Sequence, residues 1–212
     1  INALNNENSG TLRIGASTTV AQYVLPSLLA GFHNRFPEIE LSLVIKNTDQ
    51  IQLALTEKQI DMGIIEGRSR DPKIHYDPFL KDEIVLVTNA RSPIAKNGTI
   101  TLAQLAGIPV ILREPGSGTL EVIAYALKEQ GISLSDLNKQ MELAGTESIK
   151  GYIQNAPCAG FLSIHSIIDE LSHNQCRVID IDNFSIERTF HFATLQGQQD
   201  GLAELFMNFA KH

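Results

Sequence analysis

At 113–119 the chain reads REPGSGT, a permanent cation followed by two glycines enclosing a serine, ahead of a helical apolar pattern. Gly116 and Gly118 permit a tight turn and a close backbone approach to a ligand. Ser117 suits a helix N-cap, and Leu120, Ile123, Ala124 and Leu127 mark one face of the helix it would start. The first N–H groups of such a helix lack partners inside it and point outward with the positive end of the dipole. That combination favours an anion, to which Arg113 would add a charge-assisted hydrogen bond. A plain capped turn beside a solvated arginine would use the same residues, so the stretch alone decides nothing.

Three more corners repeat the residue types: GASTT at 15–19, KNTDQ at 46–50 and AGTES at 144–148. They offer Ser17, Thr18 and Thr19, then Asn47 and Thr48, then Thr146 and Ser148, to set beside Ser117, Gly118 and Thr119. Glu66 and Glu114 are the carboxylates expected nearby, and Glu147 would sit favourably in a helix's first turn. A convergence of such donors is what a small-anion site requires. Catalytic readings are weaker. Cys158 with His165 or His191 would be a nucleophile and base, and Asp61, Glu66 and Asp77 would be acid–base carboxylates. Neither set has supporting spacing: Cys158 lies in an apolar run and Asp61 reads as strand-edge punctuation. Histidines at 33, 75, 165, 173, 191 and 212 show no ligand spacing, so no metal, cofactor or catalytic residue is expected. Cys158 and Cys176 read as reduced core thiols.

The elements that would position these corners follow a strand–helix alternation. Strands are expected at 11–16, 39–45 and 60–67, helices at 17–37 and 48–59, and a longer extended piece at 74–88. Pro26 falls inside the first helical pattern and predicts a kink there. The same grammar then restarts. A short helix at 101–107 carries a Thr101/Gln104 capping box, followed by strands at 108–112, 140–145 and 158–163. Helices are expected after Ser117, at 146–155 and at 165–171; CRVIDI and ERTFHFATL read as strands, and GLAELFMNFAKH as an amphipathic helix. Two α/β units of mostly parallel strands follow from this order, with ligand corners at the carboxyl ends of strands.

Composition narrows the classes of function. With 24 acidic against 17 basic residues among 212 and a net charge of −7, this stretch is not expected to grip nucleic acid or an anionic membrane. No apolar run approaches the roughly 20 residues of a membrane span, and INALNNENSG has no signal-peptide pattern, so the cytoplasm is expected.

GTLRIGASTTVAQYVLPSLLAGFHNRFPEIELSLV resembles the opening of the effector-binding domain of LysR-type transcriptional regulators. The resemblance continues through IDMGIIEG, LVTNARSPIA, TLAQLAGIPVILREPGSGT and ESIKGYIQNAPCAGFLS, and covers nearly all of 10–210. The REPGSGT wording is most like the branch controlling sulfur assimilation and carbon fixation. The resemblance implies a two-lobed, type 2 periplasmic-binding-protein-like α/β fold. Lobe I would take 10–88 and 190–212, lobe II 89–189, and residues 1–9 would be the remnant of a linker helix. It implies a small anionic effector between the lobes: a sulfur oxyanion, a phosphorylated metabolite or a carboxylate. The effector contacts carried over are Ser17, Thr18, Thr19, Asn47, Thr48, Arg113, Ser117, Gly118, Thr119 and Thr146. A winged helix-turn-helix N-terminal to this stretch would bind DNA, and the intact protein would be a homodimer or tetramer, pairing the helix at 19–35 with a second-lobe helix of another subunit. Where relatives carry Gly-x-Gly before a late strand, this chain has Ala156-Pro157-Cys158, which leaves that edge of the site open. A periplasmic-type solute-binding protein shares the implied fold and is the alternative.

Overall fold

The computed structural model describes residues 9–96, 98–197 and 200–212. The expected linker remnant therefore lies, apart from Ser9, outside the described residues. In chain order the first elements are β1 (Gly10–Ala16), α1 (Leu25–Arg35), β2 (Ile39–Ile45), α2 (Thr48–Thr56), β3 (Met62–Ile65) and β4 (Ile74–Asn89). Next come β5 (Thr99–Ile100), α3 (Leu102–Leu105), β6 (Val110–Arg113), α4 (Gly118–Glu129), β7 (Lys139–Leu143), α5 (Thr146–Asn155) and β8 (Ala159–Ser163). The last are α6 (Ile168–Ser172), β9 (Cys176–Ile181), β10 (Ile186–Leu195) and α7 (Gly201–Ala210).

These elements form two compact units. One takes the chain through Leu80 together with Thr189–His212, and the other is Lys81–Arg188. The chain passes between units once within β4 and once within β10, where the expected boundaries were 88/89 and 189/190. In the first unit β1 lies between β2 and β3 with parallel registers Leu12↔Leu41 and Ile14↔Met62, and β10 joins β3 antiparallel at Phe192↔Ile64. In the second, β6 lies parallel between β7 and β8, while β4 runs antiparallel to β8 and β9. Both sheets thus mix parallel strands with a few antiparallel ones.

Helices cover both faces of each sheet, so β3 and β6 are buried throughout rather than alternating. In the first unit one face packs Leu12, Ile14, Phe32, Phe192 and Phe206. The other packs Ile51, Leu55, Ile60 and Ile65. Glycine sets how close α2 comes: a Cβ on Gly63 would lie 2.8 Å from Ile51 Cγ2. In the second unit α4 buries Val122, Ile123 and Leu127 against Leu112 and Phe161, and α5 buries Ile149 and Ile153 against Ile111 and Leu162. Among the described residues no helix is long and apolar enough to cross a membrane.

At Pro26 the helical run is interrupted rather than continuous. Val20–Val24 forms a π segment, and the Leu25 N–H donates to the Val20 carbonyl five residues back. Pro26 then occupies the first turn of α1, where its missing N–H leaves no bond unmade. The wide turn places the proline at a helix start instead of in a helix interior.

Candidate functional site

In the first unit, Ser17 directly follows β1, and its N–H donates to the Ile64 carbonyl at 3.1 Å while its own carbonyl accepts from Ala21 at 2.8 Å. Its hydroxyl donates to a carboxylate oxygen of Glu66, the residue after β3. Thr48, at the start of α2, donates through Oγ1 to the Glu66 carbonyl at 2.8 Å. Glu66 is 2% exposed, so this side chain and its backbone fasten two of the expected corners to a third strand end. Asn47 caps α2: its side chain accepts from the Gln50 N–H at 3.0 Å, and Gln50 Oε1 accepts from the Asn47 N–H at 3.2 Å. Thr19 is buried and Thr18 half-buried. The five residues expected in this unit therefore occupy adjoining strand ends and helix starts.

The second unit holds the other five. Arg113 ends β6 and is 4% exposed, not the solvated side chain of a plain turn. Its Nε and Nη2 donate to both carboxylate oxygens of Glu114, at 2.8 and 3.0 Å. The cation is thus matched by its own neighbour. Gly116 takes φ +85°, which frees Ser117 to cap α4 by accepting from the Leu120 N–H at 3.4 Å. Gly118 and Thr119 are buried in the first turn of that helix. Thr146 opens α5 behind Gly145 at φ +82°, a start with no side-chain cap, and Thr146 is 2% exposed while Ser148 is exposed.

Three participants escaped the sequence reading: Asp82, Ser163 and Arg188. Arg188 Nη1 donates to Thr119 Oγ1 at 2.7 Å, and its Nε donates to Asp82 Oδ2 at 2.6 Å. Asp82 Oδ1 accepts from Ser163 Oγ at 2.7 Å, and His165 Nε2 lies 3.8 Å away. A signal was present. In β10 the buried positions run Ile186, Arg188, Phe190, Phe192, and in β4 they include Asp82, Ile84 and Leu86. A charge on the core side of an alternating strand needs a partner there.

The groups imagined for catalysis are engaged or unreactive. Cys158 is fully buried, and burial pushes its thiol up; Cys176 is pushed up to about 11 by burial and Glu170. Neither resembles a thiolate nucleophile. Burial pushes the Asp61 carboxyl up, but the hydrogen bonds and charge of Arg13 outweigh it and hold it below the usual range. Asp77 pairs with Lys211. Among the described residues, no cluster of three or more histidine, cysteine or carboxylate side chains could hold a metal ion.

What the arrangement can do is bind. Arg113 and Arg188 are each paired with a carboxylate, and the remaining groups at these corners are hydroxyls and helix-start amides, the kind that accommodate an oxyanion without net charge.

Residues 5–212 match the family model described as the LysR substrate binding domain. The chain is 36% identical over 171 residues to the HTH-type transcriptional regulator YeiE of Escherichia coli K12, covering 81% of this chain and 57% of YeiE. It is 28% identical over 183 residues to the HTH-type transcriptional regulator CysL of Bacillus subtilis, covering 86% of this chain and 60% of CysL. The chain thus spans less than two thirds of the length of these regulators. The regulatory domain of Synechocystis PCC6803 CcmR, solved in complex with 2-PG, superposes with a TM-score of 0.85 at 28% identity over 96% of both chains. The resemblance read from the motifs and the match from residue 5 to residue 212 agree: the chain belongs to the LysR substrate binding domain family.

Proposed function

We propose that this chain is the effector-sensing part of a LysR-type transcriptional regulator and that it binds a small anionic metabolite at the corners described. The observation that carries the reading is the set of hydroxyls at strand ends and helix starts: Ser17, Thr19, Thr48, Ser117, Thr119 and Thr146 are each at most 3% exposed. Burying so many polar groups at strand ends and helix starts costs stability unless they are bonded, and in each unit they stand beside helix-start amides, where an oxyanion is favoured. The 2-PG bound by the CcmR domain and the regulator names of YeiE and CysL support the same direction. A sulfur oxyanion, a phosphorylated metabolite or a carboxylate fits the donor chemistry. In this reading the domain turns over no substrate and needs no cofactor. It acts in the cytoplasm within a homodimer or tetramer, and DNA is bound through a winged helix-turn-helix outside this stretch.

Thermal melting against sulfate, sulfite, thiosulfate, phosphate, sugar phosphates and acetylserine tests it. An effector raises the melting temperature in proportion to its affinity for the folded state, and uniform silence across the panel overturns the anion reading. A Thr19→Ala/Ser117→Ala double-mutant cycle then asks whether one ligand uses both sets. Each hydroxyl should be worth about 0.5–1.5 kcal/mol in affinity, with non-additive losses if the ligand is shared. Additive losses of stability with unchanged affinity would reduce both residues to helix starts.

A further inference from the structure

We propose that Ser17 and Thr48 receive hydrogen bonds from the effector rather than give them, so that the effector carries a donor group, a hydroxyl or an ammonium, beside its anionic head. The proposal rests on the anion reading of the corners for its ligand and narrows it within the first unit. Both hydroxyl hydrogens already have acceptors in the protein. Ser17 donates to a carboxylate oxygen of Glu66, and Thr48 donates through Oγ1 to the Glu66 carbonyl at 2.8 Å. The Ser17 N–H is committed as well, to the Ile64 carbonyl at 3.1 Å. A hydroxyl has one hydrogen and two lone pairs, so what these two side chains still offer a ligand is acceptance.

Burial keeps them in that role. Ser17, Thr48 and Glu66 are 2%, 1% and 2% exposed, so water is not at hand to replace a bond taken from Glu66. The bond from Ser17 to a carboxylate is charge-assisted and roughly twice as strong as a neutral one. Turning Ser17 toward an oxyanion would exchange one bond to an anion for another and take a donor from a buried carboxylate. A ligand hydroxyl or ammonium that donates to the Ser17 oxygen disturbs nothing. It also reinforces the serine's own bond to Glu66, because accepting a hydrogen bond makes an O–H a better donor. The carboxylate behind Ser17 sets the sign at this oxygen: it attracts a donor and repels a second oxyanion. The anionic head falls to the helix-start amides, since an N–H can only donate.

Calorimetry on the wild-type chain compares ethyl phosphate, hydroxyethyl phosphate and aminoethyl phosphate. The three share an anionic head and add to it no donor, a hydroxyl or an ammonium. Ethanesulfonate and hydroxyethanesulfonate repeat the comparison with a sulfur oxyanion. The donor-bearing probe should bind about 2- to 13-fold more tightly for each bond gained, the worth of one neutral hydrogen bond. Ser17→Ala and Thr48→Val, each checked for native melting, should shrink that preference. Equal binding of the matched probes by wild type, or a preference that survives in both variants, overturns the proposal and leaves the anion reading standing. Silence of every probe overturns the anion reading and the proposal with it. Neutron diffraction adds a measurement that needs no ligand, because it locates the deuterium on each hydroxyl. Both should point at Glu66, and a Ser17 deuterium directed elsewhere overturns the proposal on its own.

Discussion

Glu114 converts Arg113 from a free charge into half of a dipole at the lip of the Gly-Ser-Gly-Thr corner. The Arg113 side chain is 4% exposed and that of Glu114 is 20% exposed, so the carboxylate is the wetter partner. Removing either therefore has opposite consequences for an anion. Arg113→Ala removes the buried cation that offsets Glu114 and should weaken sulfate or phosphate binding by about tenfold or more, since a charge-assisted hydrogen bond is worth about 1.5–3 kcal/mol. Glu114→Gln releases the guanidinium and should tighten binding by a few-fold; calorimetry on the two variants reads both signs. His191 gives a pH prediction. Burial and then the charge of Arg70 hold its pKa below the ordinary imidazole value of 6.5. As pH falls through 6.5 the unfolded chain takes up a proton that the folded chain resists, so stability declines with acidification. Urea midpoints at pH 7.5 and 5.5 should differ less in His191→Gln than in wild type. Of the candidate site residues, the strand-end and helix-start positions of Arg113 and the hydroxyls were legible because caps and glycine turns are local. Arg188 and Asp82 were not paired in advance, because they lie 106 positions apart and only the fold joins them.

Helix starts were legible one by one for the same local reason. Thr101 with Gln104 forms the expected capping box, and the structure adds a second between Asn47 and Gln50. The run 48–59 ends as helix at Thr56 because Lys58 turns to φ +57°, a conformation the apolar period does not report. The π segment at Val20–Val24 was illegible since its cause is where Pro26 must sit, not which residues prefer a wide turn. Packing of α2 yields a prediction at this level. Gly63→Ala would press a methyl to within 2.8 Å of Ile51 Cγ2 and push α2 off the sheet. Overpacking of this kind costs about 1–3 kcal/mol. Urea unfolding should show that loss, accompanied by weaker anion binding, because Asn47 and Thr48 move with the helix they start.

The two-unit α/β order was readable from the restart of the strand–helix alternation, and the net charge of −7 frames the molecule's behaviour with nucleic acid. A gel shift with this 212-residue chain should show no sequence-selective, salt-sensitive DNA binding, since an acidic surface lacks the cations that release counterions from DNA. The way the units are cut from the chain has a consequence during synthesis. Lys81–Arg188 is a single uninterrupted stretch, complete as soon as its last residue has left the ribosome. The other unit cannot close until Phe190, Phe192 and Phe206 arrive, because they fill the core around Leu12, Ile14 and Ile64. At about 5–20 residues per second, the edge of β3 that β10 will cover waits on the order of ten seconds with its backbone groups unpaired. For that interval the nascent chain carries an open parallel sheet of β2, β1 and β3. Such an edge is a template for pairing with another chain. Aggregation of newly made protein should therefore begin from the half translated first, although each half has a buried core once finished.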